Sequence, residues 1–381
     1  MFRRHLTFAA VLCALLCLCG GASAETRLYT FPTEQIPAAL LTAPEAKGDV
    51  TVRMTFAGDA CLGVEERFFD YEKTFITQIR QKGFDYPFAK IKPLFDQDDI
   101  TLINLETVLS DNDKLPKLEK RYVFRGPADF AKVLTEGGVE CVSIENNHML
   151  DEGEKGRLDT IAALRAENVS FCDAQYVTVL EKDGVRVGFF GFQFTLYRKK
   201  EIVQGQIDAL KRAGCSMIVL VAHMGTDYGF WMNDAQKELM TFLEGKGVAL
   251  VVGHHPHVAQ GVVRKEDMQF VLSLGNFCFG SNPHPRDYDA VVATVDAVFQ
   301  GGALQTQQLT LWPITISQNT NGNDYQPDFV GEKLSRRILA KMQKSSNYEL
   351  SPYVEGQGCV QPVLVMPQPT AAPEEETTQE E

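Results

Sequence analysis

Val248-Ala-Leu-Val-Val-Gly-His-His-Pro-His257 is the stretch whose reading decides the fold. The apolar run from Val248 to Val252 is what a strand buried on both faces needs, and such strands belong to parallel sheets covered by helices. The run then stops at a glycine and three histidines. Ligands bind at the carboxyl ends of strands in open α/β sheets, so chemistry is expected there. On an extended segment His255 and His257 would point the same way, stiffened by Pro256.

The same pattern recurs upstream. Val50, Val52, Met54 and Phe56 alternate with other residues, as in a strand, and the run ends in Ala57-Gly58-Asp59. Residues 99–103 end in Asn104-Leu105-Glu106, and 139–144 lead to Asn146-Asn147-His148. Met217 to Val221 ends in Ala222-His223. Five of the seven histidines fall in these segments. Two carboxylates, an amide oxygen and several imidazoles at neighbouring strand ends would form a mixed nitrogen and oxygen site. Such donors suit Mn, Fe or Zn, and no thiolate set accompanies them. Taken singly, each piece also fits a cap, a turn or a hydrogen-bonded interior residue.

Between the strands the spacing of Leu158, Ile161, Ala162 and Leu164 predicts a helix, and another is expected over 234–246. Lys182-Asp183-Gly184 predicts a hairpin turn before the strand from Val185. Residues 269–274, 290–299 and 304–311 predict further strands. Alternating helices and strands followed by a β-rich stretch indicate an α/β or layered α+β domain.

The ends of the chain read differently. Arg3 and Arg4, an apolar run from Leu6 to Leu18 and Ala22-Ser23-Ala24 have the pattern of an export signal over 1–24. An uncleaved anchor is the alternative, although a membrane span needs roughly 20 apolar residues. Residues 25–50 read as a linker or edge segment. A domain is expected over 51–318, then an extension over 319–366 with a helix from Glu332 to Lys344. Residues 367–381 carry three prolines and five glutamates, a tail expected to be disordered. Three of the nine cysteines lie in the leader, and the other six are scattered without a C-x-x-C pair, which argues against a zinc finger or disulfide scaffold. The net charge of −13 and the lack of a basic cluster beyond Arg198-Lys199-Lys200 argue against nucleic acid as a partner.

As a set, these strings resemble the CapA family of bacterial capsule-synthesis proteins tied to poly-γ-glutamate. The matching stretches are Phe56-Ala-Gly-Asp-Ala-Cys-Leu-Gly63, Asn104-Leu-Glu106, Phe124-Arg-Gly-Pro127, Asn146-Asn-His-Met-Leu-Asp-Glu-Gly153, His223-Met-Gly225 with Tyr228, Gly253-His-His-Pro-His-Val258 and Ser273-Leu-Gly-Asn-Phe277. The resemblance implies a calcineurin-like metallo-dependent phosphatase sandwich, an α/β fold layered α/β/β/α. It implies one or two divalent ions held by Asp59, Glu106, Asn147, His223, His255 and His257. It casts His148 as the acid or substrate-contacting histidine. Arg125 and His254 are expected to bind substrate. Metallophosphoesterases usually begin with Asp-x-His, whereas Ala60-Cys61 follows Asp59 here, so one imidazole is missing. Glu145, before the Asn-Asn-His, is unexpected beside such a site.

The resemblance further implies an exported protein acting in synthesis, export or trimming of an anionic cell-surface polymer, with membrane-bound capsule proteins as partners. The alternatives are an extracytoplasmic phosphoesterase, in which His148 protonates the leaving group, and a non-catalytic binding or scaffold subunit.

Overall fold

The computed structural model describes residues 26–68, 71–116, 119–194 and 199–367. The expected leader and nearly all of the acidic tail lie outside these residues.

Two sheets pack face to face. One runs in the order Arg27–Pro32, Tyr176–Lys182, Val185–Gln193, Met217–His223, Val248–His254, Gln269–Val271 and Val262–Arg264. The other is centred on Val50–Cys61, with Ile100–Leu105, Cys141–Ser143 and Ser170–Cys172 parallel on one side and the long hairpin Asp289–Gln300 and Ala303–Thr315 on the other. Val52, Met54 and Phe56 face Val187, Phe189 and Val219 across the gap, and all six are buried. This dry layer is what the alternating and continuous apolar runs require.

Helices cover the outer faces. Lys200–Arg212 and Asp234–Leu243 pack Ile207, Leu210, Leu239 and Leu243 on the first sheet. Phe75–Lys82, Lys132–Gly137 and Gly153–Ala166 cover the second. The order of layers is therefore α/β/β/α, as expected. The hairpin turn at Asp183 and Gly184 has positive φ at both residues, 47° and 79°. Such a turn matches the twist of the strands it joins.

Three details sharpen the linear reading. The stretch expected as a linker or edge segment carries the edge strand Arg27–Pro32, paired with Tyr176–Lys182. Residues 319–366 are built into the same body: Ile338 and Met342 of the helix Glu332–Gln343 join the layer between the sheets. The strand expected over 269–274 is broken. Gln269–Val271 stays in the first sheet, and Asn276–Phe279 crosses to pair with Val50–Cys61 in the second. That crossing sets the backbone of Gly275 against Gly58, where a Cβ would meet the Gly275 carbonyl oxygen at 2.0 Å. Only glycine admits this approach.

At the end of the sheets opposite the histidines, Asp98 is half-buried and accepts a 2.7 Å hydrogen bond from the Thr101 hydroxyl. Burial, with Glu140 and Asp99 nearby, pushes its carboxyl up to about 7, against the pull of Thr55 and Thr101. The folded chain thus holds this proton to about pH 7, while the unfolded chain loses it near the ordinary value of 3.8. Stability from this group is present below the lower value and is lost as pH rises through the upper one. Asp98→Asn is therefore expected to raise the thermal midpoint at about pH 8.5 and to change it little at about pH 4. An equal shift at both pH values in a thermal-melt series would contradict the assignment.

Candidate metal centre

The strand registers bring the predicted residues together. Asp59 is level with Asn104 and Asn276 in one sheet, and His223 is level with His254 in the other. These strand ends meet, so the two sheets deliver their polar side chains to one seam.

Asp59 is fully buried and accepts from the Asn104 amide at 2.8 Å and from the His255 backbone N–H at 3.1 Å. His254 Nδ1 and His257 Nδ1 lie 3.2 and 3.3 Å from its two oxygens. Burial by itself would push this carboxyl up; the two imidazoles outweigh it and hold Asp59 well below the usual range. Glu106 is the opposite case. It is also fully buried, and neither carboxylate oxygen has a hydrogen-bond partner. Burial pushes its pKa well up, reinforced by Asp59 and Asp151 and opposed by His257 and Lys120.

A buried carboxylate without donors costs several kcal/mol unless a cation or proton compensates it, about the range for any unpaired buried ion. The surroundings fit a cation. Around His223 Nε2 lie Asn147 Oδ1 at 2.7 Å, His255 Nδ1 at 3.1 Å and Glu106 Oε1 at 3.6 Å. Asp59, Glu106 and His257 form a second set whose donor atoms lie within 4.8 Å of one another. Glu106 is common to both. The donors are carboxylates, imidazoles and an amide oxygen, the chemistry of Mn, Fe or Zn sites. Asp227, His255 and His257 form a third cluster, but Asp227 is exposed.

The histidine loop holds its shape at a conformational cost. His255 and His257 have φ of 93° and 56°, in the left-handed region. The segment is a turn, contrary to the extended H-x-H expected, because the strand ends at His254. Non-glycine residues there cost about 1–3 kcal/mol each, and such strain gathers at functional sites. Asn276 Oδ1 lies 2.9 Å from His257 Nδ1 and fixes that ring.

His148 lies at the cavity floor. Its Nδ1 is 2.7 Å from Asp151 Oδ2, its ring stacks on Phe124 at 3.9 Å, and its Nε2 is 3.8 Å from Glu106. Nδ1 thus faces a carboxylate, which only accepts, and the Lys120 ammonium at 3.1 Å, which only donates. Burial lowers the His148 pKa, against the raising effect of Asp151. Lys120 pairs with Asp151 and donates to the Asn147 carbonyl at 2.8 Å. A neutral His148 takes a proton before it can give one.

Two expectations need correction. His254 is fully buried, with Nδ1 3.2 Å from Asp59 Oδ1, and does not line the cavity. The Arg125 guanidinium is turned to Asp113 at 3.0 Å and Glu152 at 3.4 Å, away from the cavity lining. Glu145 is resolved differently: it turns away and accepts the Ala174 N–H at 2.9 Å. Cys61 Sγ points to the Gly63 carbonyl at 3.7 Å. Asn104, Asn276, Asp151 and Lys120 were missed as supporting residues. For Asp151, the His-x-x-Asp spacing was the available signal.

Two outcomes follow. Glu106→Gln is expected to raise the melting temperature of metal-free protein, because it removes an unpaired buried acid. It should also abolish the stabilisation by Mn(II), worth about 2.7 kcal/mol for wild type at one hundred times Kd. Thermal shift with and without Mn(II) reads both; a variant still stabilised by Mn(II) would refute the Glu106 assignment. His257, pushed up to about 9 chiefly by Glu106 and Asp59 against the effect of burial, must lose its proton for a cation to bind. Calorimetry of Mn(II) binding near pH 7.5 in buffers of different ionisation enthalpy should show net proton release, and affinity should rise with pH up to about 9. Buffer-independent heats would contradict this.

Comparison with known proteins bears on the whole arrangement. A family described as bacterial capsule synthesis protein PGA_cap matches residues 53–281. The capsule biosynthesis protein CapA of Bacillus anthracis is 27% identical over 253 residues, 59% of this chain and 59% of the relative. The match thus spans less than two thirds of that protein. The PGA biosynthesis protein CapA of Bacillus subtilis (strain 168) is 25% identical over 322 residues, 79% of this chain and 80% of the relative. Among solved structures, the crystal structure of TT1561 of Thermus thermophilus aligns with a TM-score of 0.37 and 9% identity, over 64% of this chain and 94% of that one. The matched segment holds every residue of the centre, from Asp59 to Asn276, and more than half of the chain: this protein belongs to the PGA_cap family of bacterial capsule synthesis proteins.

Proposed function

We propose that this protein acts in capsule biosynthesis as an exported, metal-dependent hydrolase that trims an anionic cell-surface polymer of the poly-γ-glutamate kind. The observation that carries the metal part is Glu106, whose two buried oxygens lack donors amid converging imidazoles. The polymer comes from the family and from the names of its relatives. Export rests on the pattern of residues 1–24, and membrane-bound capsule proteins are the partners it would meet there. Among the described residues no helix is long and apolar enough to cross a membrane.

A divalent ion in this centre supplies Lewis-acid polarisation of a carbonyl or phosphoryl oxygen. Glu106, Asn147, His223 and His255 would hold one ion. Asp59 and His257, sharing Glu106, would hold another. His148 lines the same cavity and would take a proton from the attacking water and give it to the leaving group as the scissile bond breaks, while Asp151, 2.7 Å from Nδ1, orients the ring. Cys61, where phosphoesterases of this type carry a histidine, favours the second reading, a subunit that binds polymer without cutting it.

The test is size-exclusion chromatography of poly-γ-glutamate after incubation with Mn(II)-loaded protein, with p-nitrophenyl phosphate alongside. Shortening of the polymer is expected, lost with chelator or Asp59→Ala. His148→Ala should slow it by about 10²–10⁴-fold. Intact polymer with bound Mn(II) would establish the binding reading, and turnover of the phosphate ester alone would establish a phosphoesterase.

A further inference from the structure

The cavity above the centre has a volume of about 670 Å³ and is lined partly by His148, His257, Tyr122 and Tyr228. Arg67, Arg121 and Arg286 line it too. Their surroundings differ. Arg67 is paired with Glu65 at 2.9 Å. Arg121 lies over the Tyr122 ring at 5.0 Å, and Arg286 lies over the Tyr228 ring at 4.9 Å. The nearby acids are engaged elsewhere: Asp227 with His255 at 3.3 Å and Asp287 with Lys341 at 2.8 Å. Among the described residues, no carboxylate pairs with Arg121 or Arg286.

In a chain of net charge −13, two such arginines at one cavity mouth are a local reversal of sign. A tyrosine face under each guanidinium restrains it and covers one side. Among the described residues no acceptor meets their N–H edges, which keep the planar fork that matches carboxylate or phosphate. The cavity is far larger than one phosphate or carboxylate group.

We propose that Arg121 and Arg286 form a second anion subsite at the cavity mouth, which grips an anionic group of the ligand other than the one drawn to the histidine centre. The subsite rests on the reading that the ligand is anionic and lies over that centre. It selects molecules with two or more carboxylate or phosphate groups over those with one. Arg67, already neutralised by Glu65, is not part of it.

The test is calorimetric binding to the protein in its Mn(II)-supplemented form, with γ-linked triglutamate against glutamate and tripolyphosphate against inorganic phosphate. Wild type is expected to bind one of the longer probes at least about tenfold more tightly than its single-group analogue, as charge-assisted hydrogen bonds of this kind imply. Which pair shows the preference identifies the anion as carboxylate or phosphate. Arg121→Gln with Arg286→Gln should abolish the preference while Mn(II) content and single-group binding stay unchanged. Arg67→Gln should keep it. A preference that survives the double variant overturns the proposal, as does its absence in wild type, lack of any binding included. Failure of the metal reading has a separate signature: Mn(II) content that does not fall in His255→Ala, whatever the probe preference.

Discussion

Two fully buried carboxylates, Asp59 and Glu106, set the problem that the rest of the structure answers. Asp59 is answered by protein groups: the Asn104 amide, a backbone N–H and the rings of His254 and His257. Glu106 is left without a donor. A buried acid of this kind is tolerable only if protonated or beside a cation. The strained histidine turn, the hydrogen-bonded asparagines and the His148–Asp151 pair all surround that one unanswered charge.

The fold makes the centre possible by stacking two sheets so that the carboxyl ends of their parallel strands lie together. Neither sheet alone holds enough donors. Asp59 and Glu106 come from one, while His223 and the histidine loop come from the other. The packed layer of Val52, Met54, Phe56, Val187, Phe189 and Val219 fixes their separation. The Gly58–Gly275 contact draws the crossing strand in, so that Asn276 can orient His257.

Much of this was legible in the linear chain because strand ends are marked by where apolar runs stop. Asp59, Glu106, Asn147, His148, His223, His255 and His257 could be read from that signal together with the family strings. The structure brings them to one seam. Side-chain direction is what the linear pattern does not carry. Arg125 sits in a matching string, yet its guanidinium turns to Asp113 and Glu152. His254 belongs to the histidine string, yet it is fully buried, with Nδ1 3.2 Å from Asp59 Oδ1. Arg121 carried no motif at all, and only the fold brings it to the cavity lining.

The sequence by itself determined the strands, the layered class and the identity of the polar groups at the strand ends. Those depend on local periodicity and on residue type, which short-range patterns record. Tertiary structure alone decided which strand ends meet, that Asn276 crosses from one sheet to the other, and that Glu106 lacks a donor. Those depend on register between segments far apart in the chain, such as the 3.1 Å contact of the His255 N–H with Asp59. No local pattern encodes that distance, because it is set by the packing of two sheets rather than by either stretch of sequence.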